Sequence, residues 1–155
     1  MFAIALWDTQ TRTLHLARDR FGEKPLYYGW ASTASTGAPA FVFGSELKAL
    51  CAYPGFSNQV SREALGLFMR FTYVPAPYSI YKNIYKLEPG CMLSLKTKII
   101  SDRGGGIKFS EPPRAPFEQD GLTIHRWWSL ATVVENGAKQ QFSSEVEAIR
   151  NLDLL

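Results

Sequence analysis

The chain opens on an apolar run, Met1-Phe2-Ala3-Ile4-Ala5-Leu6-Trp7, that stops at Asp8. Both alternating faces of the run are apolar, which predicts a strand buried on both sides. A central strand placed so early implies that Met1 was an internal residue in an ancestral protein. Asp8-Thr9-Gln10-Thr11-Arg12 is a polar turn, and residues 13–17 then alternate, with Leu14 and Leu16 on one face, as a hairpin partner does. Residues 25–30 and 41–43 read as a third and a fourth strand, separated by a Ser-, Thr- and Gly-rich loop over 31–38. The short connections predict one antiparallel meander of four strands. Ser45 stands where it would cap a short helix over 46–50.

Farther along, the period changes from two to 3.6. Ser61 is placed to cap a helix with Glu63 in its first turn, where the helix dipole favours an anion. Ala64, Leu67, Phe68 and Phe71 define its expected buried face, and Pro75 and Pro77 forbid its continuation. Residues 84–87 and 91–95 read as strands hinged at Pro89-Gly90, a type II turn candidate. Over 101–121 the composition shifts to Gly104-Gly105-Gly106, Pro112-Pro113 and Pro116 among charges, which predicts a loop or linker. Trp127-Trp128 re-anchors the chain through large aromatic area. Residues 144–155 read as a helix with a polar start and Val146 and Ile149 on one face.

Composition narrows the class. The 155 residues are 46% hydrophobic and 20% charged, in the range of a folded domain and not of a disordered one. A formal net charge of +3, with the basic residues scattered, argues against nucleic acid as a partner. No apolar run reaches the ~20 residues of a membrane span, and no basic segment precedes one, so no membrane partner and a cytoplasmic location are expected. Cys51 and Cys91 lie far apart without a CxxC or a histidine pair, and read as two buried thiols.

The densest chemistry lies in Ala17-Arg18-Asp19-Arg20-Phe21-Gly22-Glu23-Lys24-Pro25-Leu26-Tyr27-Tyr28. One carboxylate stands between two guanidinium groups. The pattern fits an electrostatic latch that shapes a site or a domain contact; a solvated turn with weak ion pairs is the plainer reading. Gly22 and Pro25 favour a fixed backbone path. Ser45-Glu46-Leu47-Lys48 places a carboxylate and an amine together; general acid–base work is one reading, and capping with a surface charge is the plainer one. His15 and His125 have no convergent ligands, and the Gly104–Gly106 run lacks the GxxxxGK[ST] spacing of a phosphate loop. No metal site follows from the spacing.

Five motifs in order resemble the glutamine amidotransferase domain of glutamine-hydrolysing asparagine synthetases. Residues 1–8 resemble that family's Met-Phe-Ala-Phe-Ala-Leu-Trp-Asp strand, and residues 17–28 its Ala-Arg-Asp-Arg-Phe-Gly-x-Lys-Pro-Leu-Tyr-Tyr segment. Ser45-Glu46-Leu47-Lys48-Ala49-Leu50, the Tyr-Val-Pro-x-Pro run from Tyr73, and Lys86-Leu87-Glu88-Pro89-Gly90 complete the set. The resemblance implies an α+β fold: part of an αββα N-terminal-nucleophile sandwich, mainly antiparallel. It also implies a parent activity. An N-terminal cysteine releases ammonia from glutamine, and a second domain, with ATP and Mg, passes that ammonia to aspartate.

The departures from the family pattern are as informative. Residue 2 is Phe2 and not cysteine, and neither the family's glutamine-holding elements nor its Ser-Gly-Gly-x-Asp-Ser pyrophosphate loop occurs in the chain. The resemblance therefore implies three regions: a partial amidotransferase domain over 1–100, a flexible linker or insertion over 101–126, and a junction with the first turns of a truncated synthetase domain over 127–155. No residue is expected to be catalytic, and no cofactor is expected in this chain. Arg18, Asp19, Arg20, Gly22, Lys24, Ser45, Glu46 and Lys48 are the scaffold or domain-contact candidates. Glutamine and aspartate are the parent's substrates, the absent half and the synthetase domain its structural partners, and a homodimer is left open. The alternatives are a non-enzymatic split subunit that completes the sandwich with a partner chain, and a truncated product without activity.

Overall fold

The structure is a computed structural model that describes residues 1–32, 37–97, 106–139 and 142–152. The apolar opening run forms β1 (Ala3–Asp8), which pairs antiparallel with β2 (Thr13–Arg18) from Ala3↔Arg18 to Asp8↔Thr13. The turn between them is closed by Asp8, whose Oδ1 accepts from the N–H groups of Gln10 and Thr11. The next strands are β3 (Tyr27–Ser32), β4 (Pro39–Gly44), β5 (Ile84–Lys86), β6 (Cys91–Lys96), β7 (Phe117–Gln119) and β8 (Leu122–Arg126). They form a five-stranded sheet ordered β1-β2-β6-β8-β7 and a three-stranded sheet ordered β4-β3-β5, with every pairing antiparallel.

The predicted meander of four strands is therefore corrected. β2 does not pair with β3; the chain leaves the first sheet after Arg18 and crosses to the second. The reason is visible in the burial: the second edge of β2 is taken by β6, whose Leu93 and Leu95 are as fully buried as Leu16. The prediction that β1 is buried on both faces is also corrected. It is an edge strand, with Ile4 49%, Leu6 58% and Trp7 47% exposed. An apolar run identifies a strand, but it does not fix how many neighbours that strand has.

The two sheets share one core. Leu16, Leu93, Leu95, Leu122 and Ile124 of the larger sheet cluster with Tyr28 and Tyr85 of the smaller, and the Tyr28 and Tyr85 rings lie 5.8 Å apart. Alternation along β3 and β5 puts Tyr28 and Tyr85 inward and sends Tyr27 and Lys86 to the outer face. With helices beside antiparallel sheets, the chain has the α+β architecture expected from its sequence.

Helix α1 (Leu47–Cys51) begins one residue later than predicted. Its N-cap is the extended Glu46 and no side chain caps it, so Ser45 does not fill that role. Helix α2 (Arg62–Phe71) is capped as expected: Ser61 Oγ accepts from the Ala64 N–H at 3.2 Å. Ser61→Ala should lower stability by about 1 kcal/mol, read as a fall in the thermal midpoint; an unchanged midpoint would refute the cap's contribution. The predicted buried face of α2 is only partly buried. Ala64 is enclosed, Leu67 is half-buried, and Phe68 and Phe71 are 45% and 43% exposed. The helix lies beside the outer face of the smaller sheet and leaves an apolar groove there.

Part of the predicted linker is strand. Leu122 and Ile124 alternate into the core, and β7 and β8 join through Asp120-Gly121, both with positive φ (50° and 72°). That is the type I′ hairpin signature. Gly104 and Gly105 of the glycine run lie outside the described residues. Two helices follow, α3 (Leu130–Lys139), which the sequence reading did not anticipate, and α4 (Glu145–Leu152), started by Ser144 Oγ accepting from the Glu147 N–H at 3.3 Å. Among the described residues no helix is long and apolar enough to cross a membrane.

Candidate functional site

After β2 the chain folds around one carboxylate. Asp19 is 3% exposed and accepts backbone N–H bonds from Phe21 (3.2 Å), Glu23 (3.0 Å), Lys24 (3.0 Å) and Phe2 (3.4 Å). Burial by itself would raise the pKa of this carboxyl. The backbone donors of Lys24, Glu23, Phe2 and Gly22 outweigh burial and hold it at about 2. The predicted ion pair with the flanking arginines is not what the structure contains. Among the described residues neither Arg18 nor Arg20 forms a salt bridge with Asp19. The backbone amides, closer and already oriented, take its lone pairs.

Arg18 spends its fork on carbonyls instead. Nε donates to the Lys24 carbonyl at 2.9 Å, Nη1 to that of Leu87 and Nη2 to that of Gly22. Arg18 is 6% exposed, and burial pulls its pKa down while the Asp19 charge opposes that. One side chain thus ties the 19–24 turn to the segment that follows β5. Lys24 takes part through its backbone alone, with the N–H on Asp19 and the carbonyl on Arg18. Gly22 has φ +68°, and a Cβ there would sit 3.0 Å from Arg18 Cζ and 2.7 Å from Pro89 Cγ, so the turn accepts no side chain at that point.

The same turn receives the chain from two further directions. The Asp19 carbonyl accepts from the N–H groups of Gly22 and Gly90, and the Gly90 carbonyl accepts from those of Trp127 and Trp128. Phe21 meets Trp128 edge-on at 5.0 Å between ring centroids, and Phe2 stacks on Trp127 at 6.2 Å. The turn organises a contact between segments distant in sequence. Its means are backbone hydrogen bonds and stacked rings. Arg20 is exposed and makes no hydrogen bond or ion pair among the described residues.

Ser45, Glu46 and Lys48 do not join this arrangement. Lys48 Nζ lies 3.1 Å from Glu46 Oε2 with both side chains mostly exposed, a surface pair of about 0–1 kcal/mol. His15 Nδ1 meets Ser94 Oγ across the β2–β6 pairing at 2.8 Å, and His125 is exposed. The two thiols differ. Cys91 is buried and burial pushes its pKa up to about 11, while Cys51 is half-buried beside the Tyr81 hydroxyl. A protonated, enclosed thiol is a poor nucleophile.

Sequence reasoning missed Glu88, read only as a member of the Lys86-to-Gly90 motif. Its carboxylate pairs with Arg126 at 3.1 Å and Arg114 at 3.4 Å and accepts the Ala115 N–H at 3.2 Å. This cluster fastens the 114–126 segment to the β5–β6 connection. No spacing signal could have found it, because its partners lie 26 and 38 residues away. Among the described residues no three His, Cys, Asp or Glu side chains group as a metal site.

Comparison with known proteins places this geometry. Asparagine synthetase (glutamine-hydrolyzing) 3 of Bacillus subtilis (strain 168) is 28% identical over 98% of this chain and 20% of its own length. Asparagine synthetase (glutamine-hydrolyzing) 1 of the same organism is 34% identical over 62% of this chain and 14% of its own. The chain thus corresponds to a fifth or less of the length of these relatives. A family model described as "Glutamine amidotransferase domain" matches residues 1–104. On that match, which covers the first two strands, the Arg18–Asp19 turn, the smaller sheet and the Gly90 turn, the chain belongs to the glutamine amidotransferase domain family.

Proposed function

We propose that this chain is the scaffold half of the amidotransferase domain of a glutamine-hydrolysing asparagine synthetase, and that by itself it does not hydrolyse glutamine. The parent reaction is ATP-dependent transfer of the glutamine amide to aspartate. Within it, the 18–24 turn holds the domain's shape and its contact with Trp127-Trp128. The observation that carries the reading is the setting of the two cysteines, both internal to the folded chain, with Cys91 buried and Cys51 half-buried. A nucleophile of this family needs a thiol and a free α-amine as base, and neither cysteine offers both. The purified chain should release no ammonia from glutamine above a heat-killed control. Release abolished by alkylating Cys51 or Cys91 would refute the proposal.

The exposed edge of β1 favours a second reading, a split subunit that acts by completing the sandwich with another chain. Ile4, Leu6 and Trp7 leave apolar area in water at ~25 cal/mol for each Å², on an edge with unpaired backbone groups. Co-expression with a chain that carries the Met-Cys-Gly half of a relative should yield a co-purifying pair with glutaminase activity. A monomer that melts cooperatively and reversibly, unaffected by that second chain, would speak against it.

A further inference from the structure

The groove between α2 and the outer face of the smaller sheet has the composition of a ligand site. It encloses about 550 Å³, inside the range of small-molecule pockets. Leu47, Leu65, Phe68 and Ile80 form its walls. Tyr27 and Lys86, cross-strand neighbours on β3 and β5, line it from the sheet. Lys86 is the one side chain lining it that carries a formal charge. Its Nζ donates to the Val74 carbonyl at 2.7 Å and stands 5.5 Å from the centre of the Tyr27 ring.

An ammonium has three donors, and among the described residues no carboxylate pairs with this one. Burial, helped by the charge of Arg18, depresses the Lys86 pKa, which is the mark of a cation held without an opposing charge. An apolar cavity with one incompletely satisfied cation at its wall is complementary to a molecule with one negative end and an apolar body.

We propose that this groove binds an amphiphilic monocarboxylate, with its carboxylate on Lys86 Nζ and its apolar body between Phe68, Leu65 and Ile80. The inference stands apart from the proposed scaffold role, since it needs neither glutamine nor a second chain. Burying the apolar body supplies most of the affinity, and the charge-assisted hydrogen bond sets the preference for an acid.

The test is calorimetric titration of the chain with octanoate and, in parallel, with 1-octanol. Octanoate should bind with a Kd of about 1 mM or tighter, and octanol about tenfold more weakly. Lys86→Met keeps the length of the stem and removes the charge. It should weaken octanoate about tenfold, leave octanol unchanged, and so erase the preference. Leu65→Trp should weaken both, because it fills the cavity from a position that is 44% exposed and not needed by the core. If Lys86→Met does not fold, the wild-type preference and the Leu65→Trp result decide alone. Equal affinity for acid and alcohol, octanoate binding indifferent to Leu65→Trp, or no octanoate binding at all would each overturn the proposal.

Discussion

Asp19→Ala is expected to lower the stability of the chain by about 3–5 kcal/mol, because it strands several buried donors at once. The carboxylate accepts four backbone N–H bonds and is 3% exposed. Removing it leaves amides that water can reach only by opening the turn. A solvated ion pair between arginines would instead cost about 0–1 kcal/mol, so the two accounts differ by more than the error of a urea denaturation. A shift below 1 kcal/mol would mean that the turn relaxes and rehydrates. Acid adds a second readout. The folded carboxyl titrates at about 2, below its ordinary value of about 3.9. A depressed carboxyl contributes stability that is fully present above its ordinary value and is lost as pH falls toward the folded value. Wild type should therefore weaken between about pH 4 and pH 2 by more than Asp19→Ala does.

What the sequence disclosed, and what it hid, follow one rule. Features written in neighbouring residues were legible. The strand at the start of the chain, the Ser61 cap and the Gly90 turn each depend on a few adjacent positions, and each is present. The path of the chain between sheets was not legible. Whether β2 next pairs with β3 or with β6 is decided by burial of Leu93 and Leu95 against Leu16, residues almost eighty positions apart. The β7–β8 hairpin was written locally, in Asp120-Gly121 and the alternation of Leu122 and Ile124, but it was masked by the glycines and prolines that precede it. The candidate site divides the same way. Arg18 and Asp19 stood out as residues, whereas their partners are mostly backbone atoms, which no side-chain pattern announces. Glu88 and Lys86 gain their meaning only from arginines and walls brought together by the fold.

Gly90→Ala should lower stability by about 3 kcal/mol or more. Two costs add. Gly90 has φ +61°, a conformation that a Cβ disfavours by about 1–2 kcal/mol. A Cβ there would also lie 2.3 Å from the Trp128 carbonyl oxygen. That oxygen belongs to backbone, so relief requires moving the Trp127-Trp128 segment. Its two N–H bonds to the Gly90 carbonyl and the Phe21–Trp128 contact would stretch with it. Gly37→Ala separates the two costs. Gly37 has φ +67° and, among the described residues, nothing within 4 Å of the added carbon, so it bears the conformational cost alone. Urea denaturation should place Gly90→Ala at least 1–2 kcal/mol below Gly37→Ala, with a change in tryptophan fluorescence only for Gly90→Ala. Equal losses at the two glycines would show that the close approach of Trp128 does not hold the junction. The contact between the 18–24 turn and the tryptophan pair would then be a consequence of the fold and not one of its supports.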